Sequence, residues 1–279
     1  MNNIFGYTRD MLSSYFEELN EKKYKATQVF EWLYDKRVTS FNEMTNLKKE
    51  LIVKLENDFD TYQIKIKKYQ HDKDTYKFLF ELKDQNYIEA VVMQHDYGTS
   101  VCVSSEVGCN MGCAFCESGR LKKIRNLDAY EMVEQLLLIE KELKIRISSV
   151  VVMGIGEPFD NYDNVLNFFN IVNNPKGLEI GARHITVSTC GLVPKIKEYA
   201  DFPLQVNLAI SLHAPTTLIR DQIMPINKAY PLDTLIDAIK YYIDKTNRRV
   251  TIEYILLKGI NDTPECAKAL ADLLHGLNV

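Results

Sequence analysis

The sequence predicts an α/β protein whose larger part is a parallel barrel, or part of one, built from strand–helix units. Beyond residue 100, short apolar runs alternate with amphipathic segments of helical periodicity, which is the alternation expected of β–α units. The run at 148–153 (SSVVVM) is almost continuously apolar, as a parallel strand covered on both faces requires. The connections between these segments are short, which also points to a (β/α) barrel.

Before the barrel, the pattern indicates two smaller parts. Residues 1–60 are helical in pattern, with apolar residues at helical spacing: Val29, Phe30, Leu33 and Tyr34, then Leu47, Leu51 and Leu55. From residue 61 to 98 the pattern is β-rich, with runs at 76–82 and 87–93 that predict a hairpin or small antiparallel sheet. We therefore predict a helical accessory domain at 1–60, a β-rich connecting segment at 61–98 and a barrel at 99–279.

The predicted barrel contains five strand–helix units. Its strands are predicted at 99–105, 148–153, 184–188, 206–212 and 250–257. Its helices are predicted at 128–144, 165–172, 194–199 and 232–245, followed by a last helix. Thr263 and Pro264 mark the start of that helix, because a capping hydroxyl followed by proline suits a first helical turn.

Composition limits the functional classes. The chain is 46% hydrophobic and 26% charged, which is ordinary for a soluble globular protein. We find no apolar run of about 18 residues that would span a membrane and no secretory signal. Four of the six cysteines lie between Cys102 and Cys116, so reduced thiols and a cytoplasmic location are favoured over a disulfide scaffold. The net charge of −4 argues against a general polyanion binder, although basic residues cluster at 65–68 and 120–125.

The sharpest chemical signal is the segment 108–116 (GCNMGCAFC), which spaces Cys109, Cys113 and Cys116 as C-x3-C-x2-C. Thiolates are soft ligands that hold iron in clusters. Three of them hold three irons of a 4Fe–4S cluster and leave the fourth iron without a protein ligand, free to bind a small molecule. A zinc site or buried structural thiols are the alternatives. Zinc would want a fourth Cys or His, and none follows Cys116 within thirty residues.

This loop, with an aromatic residue before its last cysteine, resembles the radical S-adenosylmethionine (SAM) superfamily. Further motifs resemble the RlmN/Cfr family of RNA adenine methyltransferases: 102–109 (CVSSEVGC), 154–158 (GIGEP), 186–191 (TVSTCG), 210–214 (ISLHA) and 224–227 (MPIN). The stretches 30–34 (FEWLY) and 41–47 (FNEMTNL), together with Pro158, resemble the RlmN branch. The resemblance covers nearly the whole chain.

The resemblance implies a partial (β/α) TIM-like radical SAM barrel with an N-terminal accessory domain that helps to hold RNA. It implies methylation of adenine carbon 2 in 23S rRNA and in tRNA beside the anticodon, with a 4Fe–4S cluster and SAM as cofactors. That ring carbon is electrophilic, so ordinary methyl donation does not reach it, whereas a radical route does. An electron donor such as flavodoxin or ferredoxin, a monomeric state and no membrane partner are expected.

The motifs carry candidate cofactor residues at strand ends, where barrel enzymes collect their sites. Glu157 can accept hydrogen bonds from the amino group of SAM, and Gly156 permits close backbone approach. We also assign SAM contacts to Ser188, Ser211, Leu212 and His213. Taken alone, Ser188 is equally suited to bond the backbone locally, and a lone histidine at a strand end is as often structural.

Two residues match family roles at the methylated base. Glu89 matches the general base that removes the proton from adenine carbon 2, which a carboxylate of raised pKa in a dry site performs well. Cys102 matches the thiol that releases the product through a transient disulfide with a methyl-carrying cysteine. Without the resemblance, Glu89 is a polar residue on a half-buried strand and Cys102 a small buried one. Cys190 and Cys266 match no motif and are interpreted as structural.

Family members carry the methyl group on a C-terminal cysteine, and the 279 residues end before the corresponding stretch. We therefore expect a truncation and doubt complete methyl transfer by this chain alone. Four alternatives stay open at this point. They are methylation of carbon 8, as in the Cfr branch, a radical SAM enzyme for a small molecule, a non-catalytic RNA-binding remnant, and an electron-carrying iron–sulfur protein.

Overall fold

The computed structural model describes residues 1–279. Its twelve strands are β1 (Asn2–Asn3), β2 (Phe59–Asp60), β3 (Lys65–Asp72), β4 (Thr75–Glu81), β5 (Tyr87–His95), β6 (Gly98–Val103), β7 (Glu106–Val107), β8 (Arg125–Asn126), β9 (Ser149–Val152), β10 (Ile185–Thr189), β11 (Asn207–Ser211) and β12 (Thr251–Glu253). Its nine α-helices are α1 (Arg9–Glu18), α2 (Tyr24–Tyr34), α3 (Lys49–Asp58), α4 (Ala129–Leu143), α5 (Tyr162–Val172), α6 (Val193–Tyr199), α7 (Thr217–Ile223), α8 (Leu232–Thr246) and α9 (Pro264–Leu274).

One eight-stranded sheet, in the order β12-β11-β10-β9-β6-β5-β4-β3, organises the molecule. Strands β6, β9, β10, β11 and β12 run parallel to one another, and helices follow each of them along the chain. This is the partial (β/α) barrel that the alternation in the sequence predicts. Because the strands are parallel, their carboxyl ends lie together along one edge of the sheet, where sites of such folds form.

The two faces of the parallel strands differ sharply. Val101, Val150, Val187, Leu208 and Ile210 are fully buried on the helix-covered face. Several residues that alternate with them on the strands are partly exposed, namely Cys102, Val151, Thr186 and Ser211. Successive side chains point to opposite faces of a strand, so the second face is an open inner surface. We call it the inner face.

Strands β3, β4 and β5 form an antiparallel extension of the same sheet. The sequence predicts these hairpins, but not that β5 pairs directly with β6, which makes them continuous with the barrel strands. In this register Val91 pairs with Cys102, and Glu89 lies two residues before Val91. Glu89 and Cys102 therefore share the inner face.

The N-terminal helices pack against helix α4 of the barrel. Arg37 forms an ion pair with Glu140 of α4, and the Ile64 amide donates to Glu134 of α4 at 2.7 Å. Within the module, the Tyr34 hydroxyl donates to the Phe5 carbonyl at 2.8 Å. One hydrophobic core extends from these helices into the barrel. The accessory module is thus packed onto the barrel through shared core and polar contacts.

Strand β12 is shorter than the predicted strand at 250–257. The Ile255 amide donates to Nδ1 of His213 at 3.1 Å, and the Leu257 amide donates to the side chain of Asn261 at 2.7 Å. Beyond Glu253, these backbone amides therefore donate to side chains in place of the carbonyl groups of a neighbouring strand. Helix α9 begins as predicted, with the Thr263 hydroxyl accepting from the Cys266 amide. The longest helices have 15 residues, and none has the length and apolar character needed to cross a membrane.

Candidate active site

The cysteine loop connects β7 to β8, which pair with each other outside the large sheet, and its backbone geometry is tightly constrained. Gly108 has a φ of +76°, and a Cβ at this position would lie 2.1 Å from the Lys122 carbonyl oxygen. The Cys109 amide donates to the Leu121 carbonyl at 3.0 Å, and the Gly119 amide donates to the Cys116 carbonyl at 3.1 Å. The loop therefore folds back on itself so tightly that only glycine fits at 108.

Cys109, Cys113 and Cys116 line one cleft at the carboxyl edge of the sheet. Burial raises the pKa of Cys109 to about 11 and that of Cys113 to about 12, so a bound metal is needed to hold them as thiolates. No three or more Cys, His, Asp or Glu side chains converge on a point suited to a single metal ion. A 4Fe–4S cluster does not require such convergence, because each thiolate binds a different iron. The soft donor set and the open cleft fit the cluster.

A buried ion pair lies beneath the loop. Lys123 Nζ is 2.6 Å from Oε1 of Glu106 and 2.6 Å from Oδ2 of Asp160, and the Glu106 side chain is fully buried. Burial raises the pKa of Glu106, and the hydrogen bond from Lys123 opposes this rise. The second oxygen of Glu106 accepts the Glu157 amide at 3.0 Å. The pair thus ties the end of the cysteine loop to the motif after β9.

Glu157 is buried in the same cleft. Its two oxygens accept the amides of Phe159 at 2.9 Å and Cys190 at 2.7 Å. Burial raises the pKa of Glu157, and the hydrogen bonds from Cys190 oppose this rise. Each oxygen keeps a lone pair for a ligand. A Cβ on Gly156 would lie 2.5 Å from Cγ of Glu106, so this glycine is required first by packing within the protein.

The ends of three neighbouring strands bring Ser188, Ser211 and Glu253 together. The serine hydroxyls are 3.2 Å apart and donate to Oε2 of Glu253 at 3.0 and 3.1 Å. Oε1 of Glu253 makes no hydrogen bond, and all three residues line the cleft. The sequence analysis predicts both serines but misses Glu253. Its position at the end of β12, matching those of Ser188 and Ser211, is the signal that would have found it.

His213 lines the cleft with a φ of +55°. Its Nδ1 accepts the Ile255 amide, which leaves the Nε2 proton free to donate, and burial lowers its pKa to about 4. Its ring meets Phe115 of the cysteine loop edge-on at 4.8 Å. The side chain of Leu212, by contrast, points away from the cleft. Its side chain is fully buried in the core, its amide donates to the Glu253 carbonyl, and its carbonyl accepts from Arg220, so it does not face the cleft.

The environment predicted for Glu89 also requires a correction. Its side chain is 40% exposed and lies 2.9 Å from Nζ of Lys77, so the site is not dry in this structure. Cys102 is half-buried on the inner face, and burial raises its pKa to about 11. All six cysteines are free, and no disulfide supports the transient one that the resemblance implies.

Comparison with known proteins identifies both parts of the chain. Residues 2–60 match the family "Ribosomal RNA large subunit methyltransferase N-terminal domain", and residues 103–273 match the radical SAM superfamily. A probable dual-specificity RNA methyltransferase RlmN from Spiroplasma citri is 55% identical over 282 residues, covering 100% of this chain and 82% of the relative. The protein of that name from Enterococcus faecalis is 57% identical, covering 98% of this chain and 78% of the relative.

The fold matches as well. The crystal structure of a radical SAM methyltransferase from Sphaerobacter thermophilus superimposes with a TM-score of 0.91 at 38% identity, covering 100% of this chain and 83% of that one. Membership of the radical SAM superfamily brings a 4Fe–4S cluster and SAM as cofactors. The chain therefore belongs to the RlmN family of radical SAM RNA methyltransferases.

Proposed function

We propose that this protein methylates carbon 2 of adenine in 23S rRNA and in tRNA beside the anticodon, as a radical SAM enzyme. The observation that carries the proposal is the shared cleft, in which the thiols of Cys109, Cys113 and Cys116 face Glu157 and the strand-end serines. The relatives named dual-specificity RNA methyltransferase support the substrate class. The cytoplasmic location follows from an RNA substrate and six free cysteines.

When bound, the cluster would supply one electron to SAM, and SAM would supply the radical and the methyl group. Cys109, Cys113 and Cys116 would hold the cluster. Glu157 accepts hydrogen bonds from the cofactor ammonium, since both its oxygens are fixed by backbone amides. Ser188, Ser211 and the free oxygen of Glu253 bond the cofactor hydroxyl groups, as strand-end carboxylates do with ribose in other α/β folds. His213 donates from Nε2.

The RNA base occupies the inner face, between the cofactor cleft and the antiparallel strands. Cys102 stays a neutral thiol in the free protein because its pKa is about 11. Its attack on a methyl-carrying cysteine therefore needs a group that removes its proton. Glu89 takes the adenine proton. Lys77 Nζ lies 2.9 Å from this carboxylate, and a bound base would exclude the water that now reaches it.

The accessory module at 1–60 holds the RNA, and the strands at 61–98 form the wall of the inner face next to it. Support comes from the match of residues 2–60 to a ribosomal RNA methyltransferase domain. A small one-electron donor such as flavodoxin or ferredoxin reduces the cluster. We propose that the working form is a monomer.

Cofactor cleavage tests the proposal directly. Protein reconstituted with iron and sulfide without oxygen, then reduced, should convert SAM to 5′-deoxyadenosine. Cys113→Ser should lower this rate by more than about a thousandfold because the cluster loses a ligand. Cys266→Ser is the control, since Cys266 lies on α9 outside the cleft and is more buried than Cys113. Equal rates in both variants, or no cleavage by the wild type, would overturn the radical mechanism.

The position of methylation needs a separate measurement. A chimaera that adds the family's methyl-carrying C-terminal stretch should be incubated with a 23S rRNA fragment and with tRNA, and the nucleosides analysed by mass spectrometry. We expect 2-methyladenosine in both RNAs. Formation of 8-methyladenosine would assign the protein to the carbon-8 reaction, and binding without methylation would reduce the proposal to RNA recognition.

A further inference from the structure

Arg220 on helix α7 is a fully buried arginine without a carboxylate partner. Its exposed fraction is 0%. Its guanidinium donates to the carbonyls of Cys190 at 2.6 Å, Leu212 at 3.2 Å and Ser211 at 3.4 Å, and to Oδ1 of Asn227 at 3.1 Å. No acidic side chain lies within salt-bridge distance of it. A buried charge without a counter-charge is costly, even when its hydrogen bonds are satisfied.

The charge lies directly behind the cysteine loop. Cys190, whose carbonyl Arg220 contacts, lines the cofactor cleft together with Cys113. The two cysteines belong to one small apolar cluster with Met224 and Ile223, and Ile223 accepts the Ala114 amide of the loop at 2.9 Å.

Two acids lie near enough to be considered as counter-charges within the protein. Asp221 is exposed and reaches Arg220 only through Asn227, whose amide donates to it at 2.7 Å. Glu157 lies on the other side of the Cys190 peptide. It accepts the amide of that residue while Arg220 donates to the carbonyl. In the site proposed above, Glu157 meets the ammonium of SAM, which leaves Arg220 without an acid.

We propose that Arg220 is a positioning residue whose buried charge balances the iron–sulfur cluster held by Cys109, Cys113 and Cys116. Three thiolates outnumber the positive charge of the oxidised cluster core, so the assembly is an anion, and the added electron makes it more negative. A fixed cation in a medium of low dielectric constant stabilises both states and the reduced state more. The inference rests on the proposed function, because it requires the cluster.

Two measurements on Arg220→Gln test this role. Glutamine keeps an amide donor but removes the charge. The melting temperature of the wild type should rise when the cluster is reconstituted, and the rise should be clearly smaller in Arg220→Gln. The cluster of the variant should also be harder to reduce, by about tenfold in the ratio of reduced to oxidised protein at a fixed potential. That change is about 59 mV for one electron, and EPR during a redox titration measures it.

The control variants separate charge from structure. Arg220→Lys keeps the charge and loses several hydrogen bonds. It should therefore lower the stability of the protein but leave the reduction potential of the cluster close to that of the wild type. Arg248→Gln removes an arginine that donates to the Leu204 carbonyl near the start of β12, far from the carboxyl edge, and should leave the potential unchanged.

Two results would refute the charge-balancing role of Arg220. One is an equal loss of melting temperature in cluster-free and cluster-loaded Arg220→Gln with an unchanged potential, which would make Arg220 a structural clamp or the partner of Glu157. The other is an equal shift of potential in Arg248→Gln. A wild type that binds no cluster would instead refute the proposed function itself.

Discussion

Two lysine–glutamate pairs, one beneath the cysteine loop and one on the antiparallel strands of the large sheet, have similar geometry and very different surroundings. Beneath the loop, Lys123 lies 2.6 Å from Glu106, and their side chains are 14% and 0% exposed. In the antiparallel half, Lys77 lies 2.9 Å from Glu89, and their side chains are 48% and 40% exposed. The first pair supports the cysteine loop, whereas the second lines the open inner face.

The difference lies in what water can do at each site. Water solvates an exposed pair in either protonation state, so the pair contributes little to stability and its members stay free to act on a ligand. A buried pair has lost that solvation, so removal of one partner leaves the other buried without a counter-charge. In the proposed function, the buried pair supports the cofactor cleft, and the exposed pair is available to a substrate on the inner face.

The largest expected effect comes from breaking the buried pair. Lys123→Met should destabilise the protein by about 3 kcal/mol, because Glu106 is left buried without a cation. Urea unfolding at neutral pH measures this loss. Lys122→Met, at the adjacent exposed lysine, should change stability by less than about 0.5 kcal/mol. Similar losses of stability in the two variants would contradict the contrast drawn between the buried and the exposed pair.

The next effect is pH-dependent and belongs to His213 in the parallel half. Burial lowers its pKa to about 4, against about 6.5 for an unfolded histidine. Between these values the unfolded state binds more protons. The contribution of neutral, buried His213 to the free energy of unfolding is therefore full above pH 6.5 and is lost as the pH falls toward 4. We expect a loss of roughly 3 kcal/mol in the cluster-free protein. His213→Asn, which suits the positive φ, should flatten this slope of stability against pH, whereas His184→Asn at an exposed site should retain it.

The third effect concerns the binding of SAM by Glu253. Glu253→Gln should weaken SAM binding to the reconstituted protein about tenfold, because a charged acceptor is replaced by a neutral amide. Equilibrium dialysis with labelled SAM gives the affinity. Glu117→Gln, in the highly exposed carboxylate beside the cysteine loop, is the control. An unchanged affinity in Glu253→Gln would remove this residue from the cofactor site.

The smallest effect belongs to the exposed pair. Lys77→Met should change the free energy of unfolding by no more than about 0.5 kcal/mol, since water solvates the unpaired Glu89. Chemical unfolding with and without added salt is the suitable measurement. A loss above about 1.5 kcal/mol would show that the two pairs are equivalent and that the inner face is less open to water than its exposure indicates.

Much of the site could be predicted because its residues stand in local motifs. The spacing of Cys109, Cys113 and Cys116 and the strand-end positions of Glu157 and Ser188 are readable along the chain, and parallel strands bring such ends to one edge. Glu253 was missed because its partners, Ser188 and Ser211, lie 65 and 42 residues away in sequence. The motif also does not tell that the side chain of Leu212 points into the core.

By itself, the sequence determined the class of fold and the family, and it supplied the three cysteines proposed as cluster ligands, because periodicity and spacing are local properties of the chain. Only the tertiary structure decided which polar groups are shielded from water. It buries Glu106 and Arg220 and leaves Glu89 exposed, and it joins the antiparallel strands to the barrel in one sheet. Residues from distant parts of the chain decide whether a group is buried and which charges lie beside it. Those neighbours and the access of water then set the energetic cost or benefit of its charge.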